Sequence, residues 1–373
     1  MDEFKTEAII VESGKSVISR KIASDFSLLS NYRKAIMGFA ALWILFFHEW
    51  QPLLGEAAHL GQVEVYLKRI GFCGVDIFLF LSGIGMIFSI QKKSLCSFYY
   101  RRFQRLFLPF FVVCLLRFLT EHWEIQWFWK NLTGYNFYHY NIYAFLWFVP
   151  AIATLYLLFP LYHKLFSKTK NPLFFTVTVF ALWLLLTLYF RGGQRQDLFG
   201  FTNRIPVFIV GIYTGWLIQN KSIQFTPSVW VMLSSIFVLG LYEAYIANFK
   251  GWSFTVPSSN CCFPNLLISI SLPFLLAKGL DLLHRVPYIR VVGKGITKFL
   301  AFFGGISLEL YCIQEWLGEK MIPKVQASHG SLVTNFIFLL LVTTAALGLH
   351  LTIQYFWKLV DFGIEKIKPP HRM

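Results

Sequence analysis

The sequence predicts an all-α integral membrane protein of about ten transmembrane helices, with the N-terminus and the C-terminus both cytoplasmic. Three observations carry that reading. First, 56% of the 373 residues are hydrophobic and 19% aromatic, against only 14% charged, a balance far from that of soluble globular domains. Second, the apolar residues come in blocks roughly twenty long, the length of a bilayer-spanning helix. Blocks such as 172–190, 228–247 and 332–357 show no polar face at either helical or strand period. Third, the basic residues gather on alternate loops, as cytoplasmic loops require.

Taken in order, the blocks place helices at 35–53, 70–91, 104–121, 144–163, 172–190, 204–220, 228–247, 264–283, 299–317 and 332–357. With the N-terminus inside, roughly two-thirds of the Lys and Arg residues fall at cytoplasmic ends, among them Arg101, Arg102, Lys164, Arg285 and Arg290. The net charge of +15 then follows from topology. A nucleic-acid binder needs basic and aromatic residues interleaved on one exposed face, so no nucleic-acid partner is expected. The expected setting is the cell membrane, as a multi-pass protein with the lipid bilayer as its first partner.

Residues 1–30 read as a polar cytoplasmic leader. Their charges have both signs and no basic stub precedes an apolar core, so no removable signal peptide is expected. Residues 31–373 read as one membrane domain, without an internal repeat or a Gly/Ser-rich linker. The segment 122–143, HWEIQWFWKNLTGYNFYHYNIY, reads as an interfacial cap over the external face. None of the six cysteines has metal-ligand spacing, and no metal is expected; Cys261 and Cys262 fall in an external loop.

Polar residues inside apolar blocks are the functional candidates, because an ionisable group at membrane depth costs several kcal/mol unless it meets a cavity or a partner. His48, in LWILFFHEW (42–50), lies about 21 Å along its helix from Lys34. Asp76, in GFCGVDIFLFLSGIGMIF (71–88), either caps its helix or orients an imidazole, and Ser82, Gly83 and Gly85 open a close-approach notch further on. In SFYYRRFQRLFLPF (97–110), Arg102 and Arg105 share a helix face beside Tyr100, a fork suited to phosphate or to lipid headgroups. Trp147 in LWFVPAIATLYLLFPL (146–161), Arg204 in NRIPVFIVGIYTG (203–215) and Glu309 in GGISLELYCIQEW (304–316) complete the set. Glu309, Gln314 and Glu315 read as a polar seam facing a cavity.

In their order and spacing, from FFH at His48 through GVDIF-x-F-x-SG, FYYRR-x-x-R-x-x-x-P, LWF with FPL and RIPVF-x-x-G-x-x-x-G to SLELY, these segments resemble the acyltransferase 3 family. That family of membrane acyltransferases contains many bacterial O-acetyltransferases of surface polysaccharides. The resemblance covers roughly residues 33–316. It implies a domain of ten or so helices and an acyl-CoA donor used from the cytoplasm, a co-substrate rather than a permanently bound cofactor. It also implies an essential histidine in the first helix, here His48, and an arginine pair, here Arg102 and Arg105. Family members typically carry an arginine eleven residues before that histidine. This chain has Met37 there, with Arg33 and Lys34 one turn earlier.

The expected reaction moves an acyl group, acetyl above all, from acyl-CoA to a hydroxyl of an envelope or extracellular glycan-type acceptor. His48 serves as general base or as acyl carrier. Asp76 and Glu309 orient its imidazole or hold the hydroxyl, Lys34 and Tyr100 join the arginines on the donor, and Ser82, Trp147 and Arg204 line the acceptor cavity. The competing class is a proton-coupled transporter of a small solute, which favours duplicated halves with broken helices; no such duplication is visible.

Overall fold

The computed structural model describes residues 25–54, 59–91, 94–140, 143–191, 199–250 and 263–367, which are helices joined by short turns, without a strand among them. A short α1 (Ser27–Asn31) leads into α2 (Arg33–Glu49), the amphipathic α3 (His59–Arg69), α4 (Cys73–Ile90) and α5 (Leu95–Glu121). Two short helices, α6 (Ile125–Leu132) and α7 (Tyr135–Tyr140), form the aromatic cap. Then come α8 (Phe148–Lys168), α9 (Pro172–Arg191), a single turn α10 (Phe199–Thr202), α11 (Ile205–Asn220), α12 (Pro227–Phe249), α13 (Phe263–Arg285), α14 (Arg290–Gly305) and α15 (Ser307–Ile367).

Seven helices among the described residues are long and apolar enough to cross a membrane, and Pro172–Thr187 adds a shorter apolar one. The chain is therefore a multi-pass membrane protein. Two expected boundaries move. The first long helix ends at Glu49 rather than at 53, and Trp50 is already extended. Pro52 accounts for this, because the residue before a proline is pushed out of the α region. His48 thus stands in the last turn of α2. The helix expected at 299–317 is broken at Ile306 and divided between α14 and α15.

Within α15 a second break falls at Gly330, whose φ of 71° and ψ of 174° belong to a region that essentially only glycine occupies. The two arms fold back on each other, since Glu309 of the first bonds to His350 of the second.

The packed chain begins before the expected domain boundary. Leu28 and Leu29 of α1 are buried, and Asp25 ties the segment down by accepting from Phe225 N at 2.7 Å. The rest of the expected leader, residues 1–24, lies outside the described residues, as do Cys261 and Cys262.

Buried on nearly every side, α4 is the centre of the molecule. It packs on α2 and α11, with Gly83 against the Phe208 carbonyl. Where α2 crosses α14 the backbones touch: a Cβ on Gly38 would strike the Leu300 carbonyl, and one on Gly304 the Lys34 carbonyl. In membranes such small-residue crossings replace the hydrophobic drive that lipid removes. Leu157, Val231 and Leu351 are exposed on the outer helices, as lipid-facing residues must be.

Candidate functional site

Three arginines converge where α2 begins. Arg33 Nη2 donates to the Leu81 carbonyl at 3.1 Å, across the face of α4 that Gly85 leaves open. A Cβ on Gly85 would lie 2.8 Å from that same nitrogen. Arg102, on α5, donates to Ser89 Oγ at 2.6 Å and lays its guanidinium over the rings of Tyr156 (5.0 Å) and Phe98 (5.4 Å). Arg105 follows one turn later.

Among the described residues none of the three has a carboxylate within ion-pair distance. The Nε atoms of Arg33 and Arg102 are buried without a hydrogen-bond partner. Buried cations without counter-charge are costly. A ligand with phosphates removes that cost, and planar guanidiniums suit it by bidentate bonding.

From these arginines a narrow cavity of about 70 Å3 runs between α2, α4, α5 and α8. Met37 and Ile44 of α2 form one wall, and Ser82 faces Tyr156, whose hydroxyl donates to Ser82 Oγ at 3.4 Å. Phe148 and Tyr311 stand at the outer end, their rings 5.5 Å apart, and Phe148 N donates to the Tyr311 hydroxyl at 3.3 Å.

The cavity stripe on α2 points at His48. Arg33, Met37 and Ile44 line it, and His48 lies four residues beyond Ile44, next in line on nearly the same face. Along the helix His48 is about 22 Å from Arg33. Its side chain is exposed and stands past the lined passage rather than in its wall.

Around it, α3 lies across the end of α2. Trp43 Nε1 donates to the Leu67 carbonyl at 3.0 Å, and Lys68 Nζ to the Trp50 carbonyl at 2.6 Å. Glu64 clamps the extended residues 50–54, accepting from Trp50 Nε1 (2.8 Å), Leu53 N (2.9 Å) and Leu54 N (2.9 Å). Burial by itself raises the Glu64 carboxyl, but these hydrogen bonds and the nearby Lys68 outweigh it and hold it below the ordinary carboxylate range.

Asp76, Arg204 and Trp147 come together. Arg204 Nε is 3.3 Å from Asp76 Oδ1, both groups are buried, and the guanidinium lies 5.2 Å from the Trp147 ring centre. Asp76 is thus the partner of an arginine, not a helix cap. Glu309 is the partner of His350, at 2.7 Å, and so is engaged away from His48. Two donor-site expectations change place. Lys34 is exposed and turned from the cavity, and the guanidinium of Arg33 takes the position expected of it. Tyr100 is exposed on the rim, edge-on to Trp357 at 6.1 Å, while Tyr156 is the tyrosine beside the arginines.

A second cavity of about 670 Å3 lies under α6 and α7, walled by Trp123, Trp127, Phe145, Asn136, Arg117 and Glu315. Leu146, in a left-handed conformation with φ of 53°, turns the chain so that Phe145 faces this cavity and Phe148 the inner one. Tyr311 and Glu315, one turn apart on α15, likewise face the two cavities in succession. Sequence reading passed over Tyr156 and Tyr311, because a hydroxyl in an apolar run carries no charge to mark it.

A family model described as an acyltransferase domain matches residues 35–354. No curated protein and no solved structure matches the chain.

Proposed function

The chain belongs to the acyltransferase 3 family, and from that premise we propose that it moves an acyl group, acetyl in the first instance, from cytoplasmic acyl-CoA to a hydroxyl of a glycan-type acceptor at the external face of the cell membrane. In this reading the bundle spans the bilayer about ten times, with both termini cytoplasmic. The observation that carries it is the α2 stripe: the half-buried guanidiniums of Arg33 and Arg102 with the exposed Arg105 at one end, a narrow passage, and an imidazole about 22 Å along the helix. That is the length scale separating the nucleotide phosphates of coenzyme A from its thioester.

Arg33, Arg102 and Arg105 hold the phosphates, and the pantetheine arm lies past Ser82 and Tyr156. His48 then has two chemically balanced routes. As general base it takes the acceptor hydroxyl proton while the oxygen attacks the thioester carbonyl; the C–S bond breaks, and the imidazolium returns the proton to the departing thiolate. As nucleophile its imidazole nitrogen attacks the thioester carbonyl, the C–S bond breaks and the thiolate leaves with the imidazole proton; the acceptor oxygen then attacks the acyl carbon, the C–N bond breaks and the hydroxyl proton returns to the imidazole. Asp76 acts through Arg204 and Trp147, fixing α4 against α11 and the entry of α8. Three arginines without counter-charge give a carrier of neutral solutes no benefit.

Free coenzyme A released from acetyl-CoA by purified protein, with an envelope extract as acceptor, is the test. Release that requires both the extract and His48, and that His48→Ala abolishes while acetyl-CoA still binds, is the expected result. Undiminished release by His48→Ala removes the proposal.

A further inference from the structure

The outer cavity has the makings of a sugar site with a definite charge preference. Its walls alternate ring faces with hydrogen-bonding groups, which suits a ligand having an apolar face and a polar rim. Trp127 is half open and stacks on Tyr140, with ring centres 6.0 Å apart and planes at 22°. Asn136 is only 5% exposed, yet its Oδ1 is buried without a hydrogen-bond partner in the cavity wall. A buried carbonyl oxygen left in that state keeps its desolvation cost uncompensated. A hydroxyl donor arriving in the cavity repays it.

The charges are unequal. Arg117 Nε bonds to Glu121 at 2.6 Å and its Nη2 to Glu319 at 2.9 Å, while Lys320 Nζ lies 3.7 Å from Glu121. Two cations and two carboxylates therefore cancel. Glu124 and Glu315 remain in the cavity wall, and among the described residues neither has an ion-pair partner. Glu315 also stands one turn beyond Tyr311, at the wall shared with the inner cavity.

We propose that this cavity binds a neutral or amine-bearing sugar ring, that Asn136 and Glu315 accept its hydroxyl hydrogens, and that Glu315 and Glu124 reject sugars bearing carboxylate or phosphate. The assignment rests on the acyl-transfer reading only for what happens to the bound hydroxyl; binding itself is independent of it.

Tryptophan fluorescence of the purified full chain tests it, by titration at mildly alkaline pH, where both carboxyls are ionised, with methyl glucoside, methyl glucosaminide and methyl glucuronide. The first two are expected to quench saturably and the glucuronide to bind about tenfold more weakly, a discrimination well within the reach of one nearby carboxylate at intermediate dielectric. Trp127→Phe lowers the quench amplitude, and Glu315→Gln narrows the gap to about threefold. The helical circular-dichroism signal and melting temperature report whether each variant is folded. Should Glu315→Gln fail to fold, Glu124→Gln, at an exposed position, carries the same comparison.

Equal binding of glucuronide and glucoside, unaltered selectivity in both folded glutamine variants, or no saturable quenching by any glycoside would overturn the assignment. If glycosides bind with this preference but coenzyme A does not bind, the acyl-transfer reading falls and the sugar site stands. If coenzyme A binds and the glycosides do not, only the sugar site is lost.

Discussion

Glu309 and His350 are 41 residues apart in sequence, and their side chains meet at 2.7 Å between the two arms of α15. A carboxylate and an imidazole in contact at bilayer depth fasten one arm to the other, and Gln354 continues the chain by bonding to the far nitrogen of His350 at 2.8 Å. Glu309→Ala and His350→Ala should each destabilise the protein by on the order of 1 kcal/mol, the scale of interhelical hydrogen bonds in membranes. The double variant should cost clearly less than the sum. Reversible unfolding in detergent measures the cycle; strict additivity would show that the two groups do not act together.

Gly85 is expected to control the donor without controlling the fold. A Cβ there meets the tip of Arg33, a flexible end that can swing away, rather than backbone. Gly85→Val should therefore leave the melting temperature nearly unchanged while raising the KM for acetyl-CoA about tenfold, the value of one charged hydrogen bond. A large loss of stability with unaltered KM would contradict this.

Arg33 and Lys34 are adjacent in sequence and opposite in consequence. Arg33→Ala should weaken coenzyme A binding at least tenfold, because one of the two half-buried guanidiniums lining the cavity is lost. Lys34→Ala, at an exposed position turned from the cavity, should bind within about twofold of the parent, as exposed charges usually do. Isothermal titration with coenzyme A separates the two; equal losses would place the phosphates elsewhere.

Glu64 gives the clamp on residues 50–54 an acid sensitivity of known sign. Its folded-state carboxyl lies below the ordinary value, so its contribution is fully present above the unfolded-state pKa of about 4.3 and disappears as the pH falls through the folded value. Glu64→Gln should lower the melting temperature at neutral pH and converge with the parent below about pH 4. Melting curves across that range decide it, and a difference that grows on acidification would reverse the sign.

Apolar blocks and charged loops sufficed to read a polytopic helical protein, because a bilayer imposes its thickness on any helix that crosses it. Breaks inside apolar runs were harder. Ile306 divides a segment whose hydropathy is continuous, and only the backbone angles reveal it, whereas Gly330 falls in the polar stretch between the expected helices 299–317 and 332–357. Within the site, Arg102, Arg105, Ser82 and the pair Arg204–Trp147 were legible as polar marks in apolar surroundings. Their pairings were not. Asp76 and Glu309 were read as candidate partners of His48, and each instead meets a basic group on another helix, since pairing depends on rotation about helix axes that spacing alone leaves free. The choice between Arg33 and Lys34 is the same problem in miniature: about 100° of helical rotation separates them, and packing of Gly38 against α14 sets which one faces inward.

The narrowness of the inner cavity has an electrical meaning. A passage of about 70 Å3 has room for a handful of waters, too few to make a wet column through a hydrocarbon layer about 30 Å thick. In the acyl-transfer reading, Phe148 and Tyr311 in its lining would keep that passage from conducting ions. On the proposed reading, an acyl group handed across such a seam would change sides of the membrane while the membrane stays an insulator, and the transmembrane voltage would not be discharged by the work.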